Sequence, residues 1–317
     1  AWSSASAPES RAGRPMRTTI RLTIKQHRFG LVGFGLILLA FTAGAAAVAA
    51  YFASLGLGAC ENDTSAACMA ISQQLSAVNG PTNLLRAASL PVAVLAGVFV
   101  GVPIVAGEIE RGTAVLPWTL GRSRIRWLLP RIVIVGAVIA LLATLLGLAL
   151  DAMQQSLNPW IPITSNLTAY EGRGLLVPAR TLVGFAAGVF GGTVRGRALP
   201  GLIAGLGIGA VLVVGVIPLA DGWNRANQTD VTGDRGALDL GLGLRDLSSG
   251  EILSYQEGEA IMSPDDPAFL ERFEEVRRGV PGSSSSLVIG REVASHVLEV
   301  LVLLGAAAIV VNRRRPY

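Results

Sequence analysis

The sequence predicts an all-α polytopic membrane protein with six transmembrane helices, both termini cytoplasmic, and an extracytoplasmic segment between spans five and six. Three observations carry this. Of 317 residues, 51% are hydrophobic and only 15% charged, whereas a soluble domain has about a quarter of its residues charged. Six apolar runs, near 29–52, 88–107, 132–153, 175–194, 199–220 and 293–312, each reach the length of about 20 residues that a helix needs to cross about 30 Å of hydrocarbon. Basic residues, finally, collect between alternate runs. The runs are rich in Ala, Gly, Val and Leu without strict alternation, which favours spanning helices over barrel strands. The fourth is the weakest, because Pro178 and Arg180 lie near its start.

The net charge of +4 and pI near 9.6 do not indicate a nucleic-acid binder, because the charges sort by side of the membrane. With the amino terminus inside, the inner segments carry Arg11, Arg14, Arg17, Arg21, Lys25, Arg28, Arg111, Arg122, Arg124, Arg126, Arg131, Arg195, Arg197, Arg313, Arg314 and Arg315. Those are 16 of the 26 basic residues, against three of the 22 acids, Glu9, Glu108 and Glu110, so the inner side holds +13 and the outer side −9. The two short outer loops and their flanks offer only Arg86, Arg173 and Arg180. Short-loop basic count sets orientation, and it agrees.

Four regions follow along the chain. Residues 1–28 form a cytoplasmic tail and an amphipathic lead-in. The first fifteen are a polar stretch rich in Ser, Ala and Pro, expected to be an unstructured tail. Arg17, Arg21, Lys25 and Arg28 then recur at helical spacing beside Ile20, Ile24 and Leu31. That pattern suits a segment lying in the headgroup layer before turning into the first span, or a cationic flank that only sets topology. No cleavable signal peptide is expected, because the first run is too long.

Residues 29–220 hold spans one to five. Cys60 and Cys68 both fall in the first outer loop, where the compartment permits a disulfide, the alternative being two unpaired thiols. The inner loop 108–131 opens Glu108-Ile109-Glu110-Arg111-Gly112-Thr113 and closes Arg122-Ser123-Arg124-Ile125-Arg126-Trp127. Leu116-Pro117-Trp118 divides it into two short amphipathic pieces, since Pro117 interrupts a continuous helix. Gly184, Gly188 and Gly192 in span four and Gly201, Gly205 and Gly209 in span five place two small-residue stripes on helix faces, which predicts a close antiparallel hairpin around Arg195-Gly196-Arg197.

Residues 221–290 are acidic and rich in turn formers, so they read as an outer loop or small domain. Asp266 before Pro267 reads as a helix start, with Phe269, Leu270, Phe273 and Val276 as its apolar stripe up to Gly279, followed by a Gly-Ser-Ser-Ser-Ser linker. Residues 291–317 are the last span and a basic tail.

Several chemistries are set aside. His27 and His296 are the two histidines, and neither sits in an H-E-x-x-H pattern or a plausible triad. There is no G-x-S-x-G elbow. Lys25 is the single lysine and follows no phosphate loop, so ATP chemistry would require another chain. No metal or cofactor site is expected here. Arg180 and Glu299 are the two charges at or near membrane depth, where a bare charge costs several kcal/mol. Arg180 is expected to snorkel outward. Glu299 marks either a polar interior or an interfacial position.

These residues resemble a known family, the type-2 ABC exporter permeases. The run Ala106 to Thr113, then Trp118-Thr119, then Arg122 to Trp127, is similar to the family's inner loop A-R-E-x-E-x-G-T…W-T-x-S…R-x-R-W. Ile24-Lys25-Gln26-His27-Arg28 is similar to its opening W-R-Q-H-R, with Ile for Trp and Lys for Arg. The last span with Glu299 and the closing Arg313-Arg314-Arg315 also fit. The resemblance implies a non-catalytic permease subunit of a bacterial inner membrane, paired with a second permease chain and with cytoplasmic ABC ATPase subunits that supply ATP and Mg. Glu108, Glu110, Arg111, Gly112, Thr113, Trp118, Thr119, Arg122 and Arg126 would then couple the spans to the ATPase. Cargo would be amphipathic or hydrophobic, drug-like or lipid. The competing readings are an ion-coupled secondary transporter, which calls for acidic or histidine relays at mid-membrane, and a membrane-anchored binding or assembly protein acting through segment 221–290.

Overall fold

The computed structural model describes residues 14–60, 65–113 and 123–313. Six helices in it are long and apolar enough to span a membrane. They are α1 (Arg14–Ser54), α2 (Ala66–Glu110), α3 (Arg124–Leu157), α4 (Leu176–Arg195), α5 (Ala198–Ala226) and α8 (Ser285–Arg313). Between α5 and α8 lies a small unit of strands β1 (Thr229–Asp230), β2 (Leu238–Asp246), β3 (Ile252–Ser254) and β4 (Phe273–Val280), with short helices α6 (Tyr255–Ile261) and α7 (Phe269–Arg272).

Two helices run well past the apolar stretches that announce them. α1 is continuous from Arg14, so the basic lead-in extends the first span instead of turning into it. α2 begins at Ala66, capped by the Ser65 hydroxyl, which accepts from the Cys68 amide, and passes through Pro81, Pro91 and Pro103 over 45 residues. At 1.5 Å per residue that is about 67 Å, twice a hydrocarbon core. A disulfide joins Cys60 to Cys68, pinning the start of α2 to the 3-10 turn Leu57–Cys60 that follows α1.

The weakest run in sequence is the centre of the bundle. α4 packs on α2, α3, α5 and α8, and 83% of its apolar window is buried inside the protein. Its low hydropathy follows, because protein rather than lipid surrounds it and small residues serve it better than large ones. Pro178 sits in its first turn, where the missing N–H costs no intrahelical bond. Leu38 and Phe52 of α1, Ile104 of α2, Ile139 and Leu146 of α3 and Phe185 of α4 share one apolar core.

The glycine stripes refine the expected hairpin. Gly201 and Gly205 do meet α4, at Gly192 and Gly188, and Gly209 lies near Ala187. The trio Gly184, Gly188 and Gly192, however, faces mainly α2, where added β-carbons would strike the carbonyl oxygens of Val94, Val98 and Val102. Gly97 and Gly101 of α2 answer from the other side, against the backbone at Thr181 and Phe185. The closest helix pair is therefore α2 with α4, through a stripe in span two that sequence reading passed over, while Gly191 completes the contact with α5.

The all-α expectation needs correction in the unit between α5 and α8. It carries a four-stranded antiparallel sheet in the order β1-β4-β2-β3. The helix expected from Asp266 stops at Arg272, and Phe273–Val280 becomes β4. Asp266 does start the turn, its Oδ1 accepting from the Ala268 amide at 2.9 Å. Phe269 and Phe273 then pack with tilted rings, centroids 5.0 Å apart, in the unit's core with Leu244, and β2 supplies a registered partner along β4 from Phe273 to Val280. Cross-strand pairing outweighs a local preference that was equivocal. The serine stretch is no linker: Gly282–Ser284 makes a tight turn and Ser285 opens α8, its hydroxyl donating to the Thr164 carbonyl. Hydrogen bonds from Arg272 and Ser248 hold the Asp246 carboxyl below the usual carboxylate range, fixing the β2 end.

Candidate functional site

One end of the bundle gathers the described flanks of loop 108–131, residues 108–113 and 123–131. Glu108 is buried and its Oε1 lies 3.3 Å from Arg131 Nη2. Arg131 also donates to the Trp127 carbonyl at 2.8 Å and lies 4.6 Å over the Trp127 ring, so α2 and α3 are clamped by one guanidinium. Glu110 Oε2 accepts from the Ala198 amide at 3.0 Å. Ala198 opens α5, so this carboxylate answers an unpaired N–H and the positive end of that helix together. Arg124 donates to the carbonyls of Val311 and Asn312, both at 3.2 Å, placing a cation at the negative end of α8. Ser123 caps α3 through the Arg126 amide. Gly112, with φ +71°, ends α2, and the Thr113 hydroxyl donates to the Glu108 carbonyl at 3.2 Å.

The predicted loop residues thus divide. Glu108 is buried and paired, Glu110 is exposed but bonded to α5, and Arg111, Gly112, Thr113 and Arg126 are exposed on the flanks leading to its tip. Trp118, Thr119, Arg122 and the break at Pro117 lie outside the described residues, as do residues 1–13 and 314–317. Four spans, α2, α3, α5 and α8, have their ends tied to the two flanks of one loop.

The other end holds a buried ionic network that corrects the expectation for Arg180. Arg180 is 3% exposed and does not snorkel. Its Nη2 lies 3.5 Å from Glu292 Oε2, its Nε donates to His296 Nε2 at 3.4 Å, and its Nη1 donates to the Glu171 carbonyl. The Tyr170 hydroxyl donates to Glu292 Oε1 at 2.7 Å. His296 Nε2 accepts from Arg180, so the ring proton sits on Nδ1 and is donated to Glu299 Oε2 at 2.9 Å. Glu299 belongs to a polar interior. Burial, then the bond to Glu292, pushes the Tyr170 phenol up, and burial pushes Glu171 up.

Glu292 and Tyr170 were missed in the sequence. Glu292, His296 and Glu299 are spaced i, i+4, i+7, which is one helix face, and that signal was readable. Tyr170 had none. Nearby, Arg173 Nη1 pairs with Asp151 at 2.7 Å, and a cleft of about 370 Å³ opens between them, Tyr170, Ile289 and Val293. Among the described residues no group of His, Cys, Asp and Glu could hold a metal ion.

A bundle of six apolar helices with a glycine-packed centre and a charged loop whose flanks bind four spans at one end defines a polytopic membrane protein. The chain belongs to the family described as ABC-2 membrane transporter related, whose signature it matches over residues 29–220, more than half its length. It is an ABC transporter permease, a multi-pass protein of the cell membrane. No curated protein and no solved structure matches it.

Proposed function

We propose that this chain is the membrane subunit of an ATP-driven exporter, working beside a second permease chain and driven by cytoplasmic ABC ATPase subunits that bind ATP and Mg. The observation that carries the reading is the convergence at loop 108–131. A force on its exposed tip, at Arg111, Gly112, Thr113 and Arg126, reaches α2 and α3 directly, α5 through Glu110 and Ala198, and α8 through Arg124. A partner that moves the tip therefore moves four spans together, which is the two-state lever that coupling needs. The tip lies on the arginine-rich side, which the short-loop charge bias places in the cytoplasm. Cargo is amphipathic or hydrophobic, in keeping with the weakly polar spans. The buried network at Arg180 suits an ion-coupled reading less well, because its carboxylates already hold internal partners.

Co-purification of the chain with a nucleotide-hydrolysing subunit tests the assignment, and a chain that transports without one refutes it. Glu110 acts by holding α5 to the loop. Glu110→Ala is expected to lower ATP-dependent transport about fivefold, the equivalent of one exposed charge-assisted bond near 1 kcal/mol, with membrane insertion unchanged. Glu110→Gln keeps an acceptor for the Ala198 amide and should retain most activity. Equal transport by wild type and Glu110→Ala would count against the lever.

Orientation has its own test. Cys60 and Cys68 are the only cysteines, so after mild reduction a membrane-impermeant maleimide should label intact cells at these two positions. Labelling only after permeabilisation would invert the topology.

A further inference from the structure

At the loop end of the bundle, a cleft of about 630 Å³ separates the basic turns of α1 from the end of α2. Lys25 and Arg28 line it from α1, and Arg111 and Thr113 from the α2 end. The one carboxylate on its wall, Glu108, is already paired with Arg131. Among the described residues none of these three cations is ion-paired, and His27 Nε2, also on the wall, is buried without a hydrogen-bond partner. Three cations around one cavity repel one another, and the single carboxylate on the wall, already paired with Arg131, does not balance them. From the cleft wall onward, α1 presents Phe29, with the Arg28 guanidinium 4.8 Å over its ring, then Val32 and Leu36, at spacing i, i+3, i+7 and exposed by 80%, 58% and 62%. The charge and the apolar stripe thus follow one another down a single helix.

We propose that this cleft is a binding site for an anionic glycerophospholipid, its phosphate held by Lys25, Arg28 and Arg111 and one acyl chain lying along Phe29, Val32 and Leu36. Arginine suits phosphate because its planar fork can donate two parallel hydrogen bonds to it. A zwitterionic choline headgroup brings its own cation into a cavity that already holds three, so the site selects lipids with net negative charge. The inference needs only that this end of the bundle lies at headgroup level, whichever leaflet that is, and does not depend on the coupling reading.

Native mass spectrometry of the detergent-solubilised full chain, offered phosphatidylglycerol, phosphatidylcholine or inorganic phosphate, tests it. Wild type should retain phosphatidylglycerol through delipidation and release phosphatidylcholine. The triple variant Lys25→Gln/Arg28→Gln/Arg111→Gln should bind phosphatidylglycerol at least about tenfold more weakly. Arg195→Gln/Arg197→Gln, which removes two charges from the same end of the bundle outside the cleft, should bind as wild type does. Should the triple variant lose its folded elution profile, the single variants Lys25→Gln and Arg111→Gln must each weaken retention. Equal retention of both lipids, equal loss in the Arg195/Arg197 control, or displacement of phosphatidylglycerol by millimolar inorganic phosphate would each overturn the site.

Discussion

Arg180→Leu is expected to destabilise the folded chain by about 3–5 kcal/mol, read as a large drop in unfolding temperature or in folded yield in detergent. The cost arises from what remains. Glu292 is 3% exposed and would keep the Tyr170 hydroxyl as its one partner, while His296 would lose the donor that fixes its ring. A carboxylate stranded beside hydrocarbon is the expensive state, more than the loss of one attraction. Removing both charges relieves it. The double variant Arg180→Leu/Glu292→Gln, in which Gln can still accept from Tyr170, should recover more than half of the loss. A double variant as unstable as Arg180→Leu alone would show that the guanidinium acts through its bond to the Glu171 carbonyl, not through the ion pair.

The network explains why a charge at position 180 could be seen but not placed. Its partners lie 112 and 116 residues away on α8, and nothing in a linear sequence joins them. Snorkelling was the cheapest account for one arginine near a helix end considered alone. Once Glu292, His296 and Glu299 are recognised as a single helix face, the arginine has somewhere to go. Tyr170 and the Glu171 carbonyl come from a short turn whose position only the folded bundle sets.

The spans themselves were legible because crossing hydrocarbon is a one-dimensional demand, met run by run. Five of the six runs fall inside helices of the structure, and the fourth, 175–194, begins one residue ahead of α4. What hydropathy could not show is where helices continue beyond the apolar stretch. Residues 66–87 of α2 include Ser72, Gln73, Gln74, Asn79 and Pro81, which read as loop, yet the helix holds through them. The sheet between α5 and α8 was illegible for a different reason. β4 pairs with β2 across more than 25 residues, and the stripe of Phe269, Phe273 and Val276 serves a helix or a strand until that partner is present. At the loop end, the residue types were readable and their partners were not. Glu110 read as a charged position in the coupling loop, and its bond to the first amide of α5 could not be read from the chain.

The glycine seam supplies the second large effect. Gly188→Leu is expected to cost about 3 kcal/mol, the upper end of overpacking penalties, and to lower the unfolding temperature in detergent accordingly. A β-carbon there would lie 2.6 Å from the Val98 carbonyl oxygen and 3.0 Å from its Cα. These are backbone atoms of a helix, so no single side chain can step aside, and α2 and α4 must part along their length. Gly207→Ala is the matched control, since nothing lies within 4 Å of a β-carbon there, and it should change stability little. Because α4 also touches α3, α5 and α8, separating it from α2 loosens the centre on which the other spans rest. Gly188→Leu should therefore impair transport even at temperatures where the protein remains folded. If Gly188→Leu and Gly207→Ala melt alike, the close approach of α2 to α4 is not what holds the bundle together.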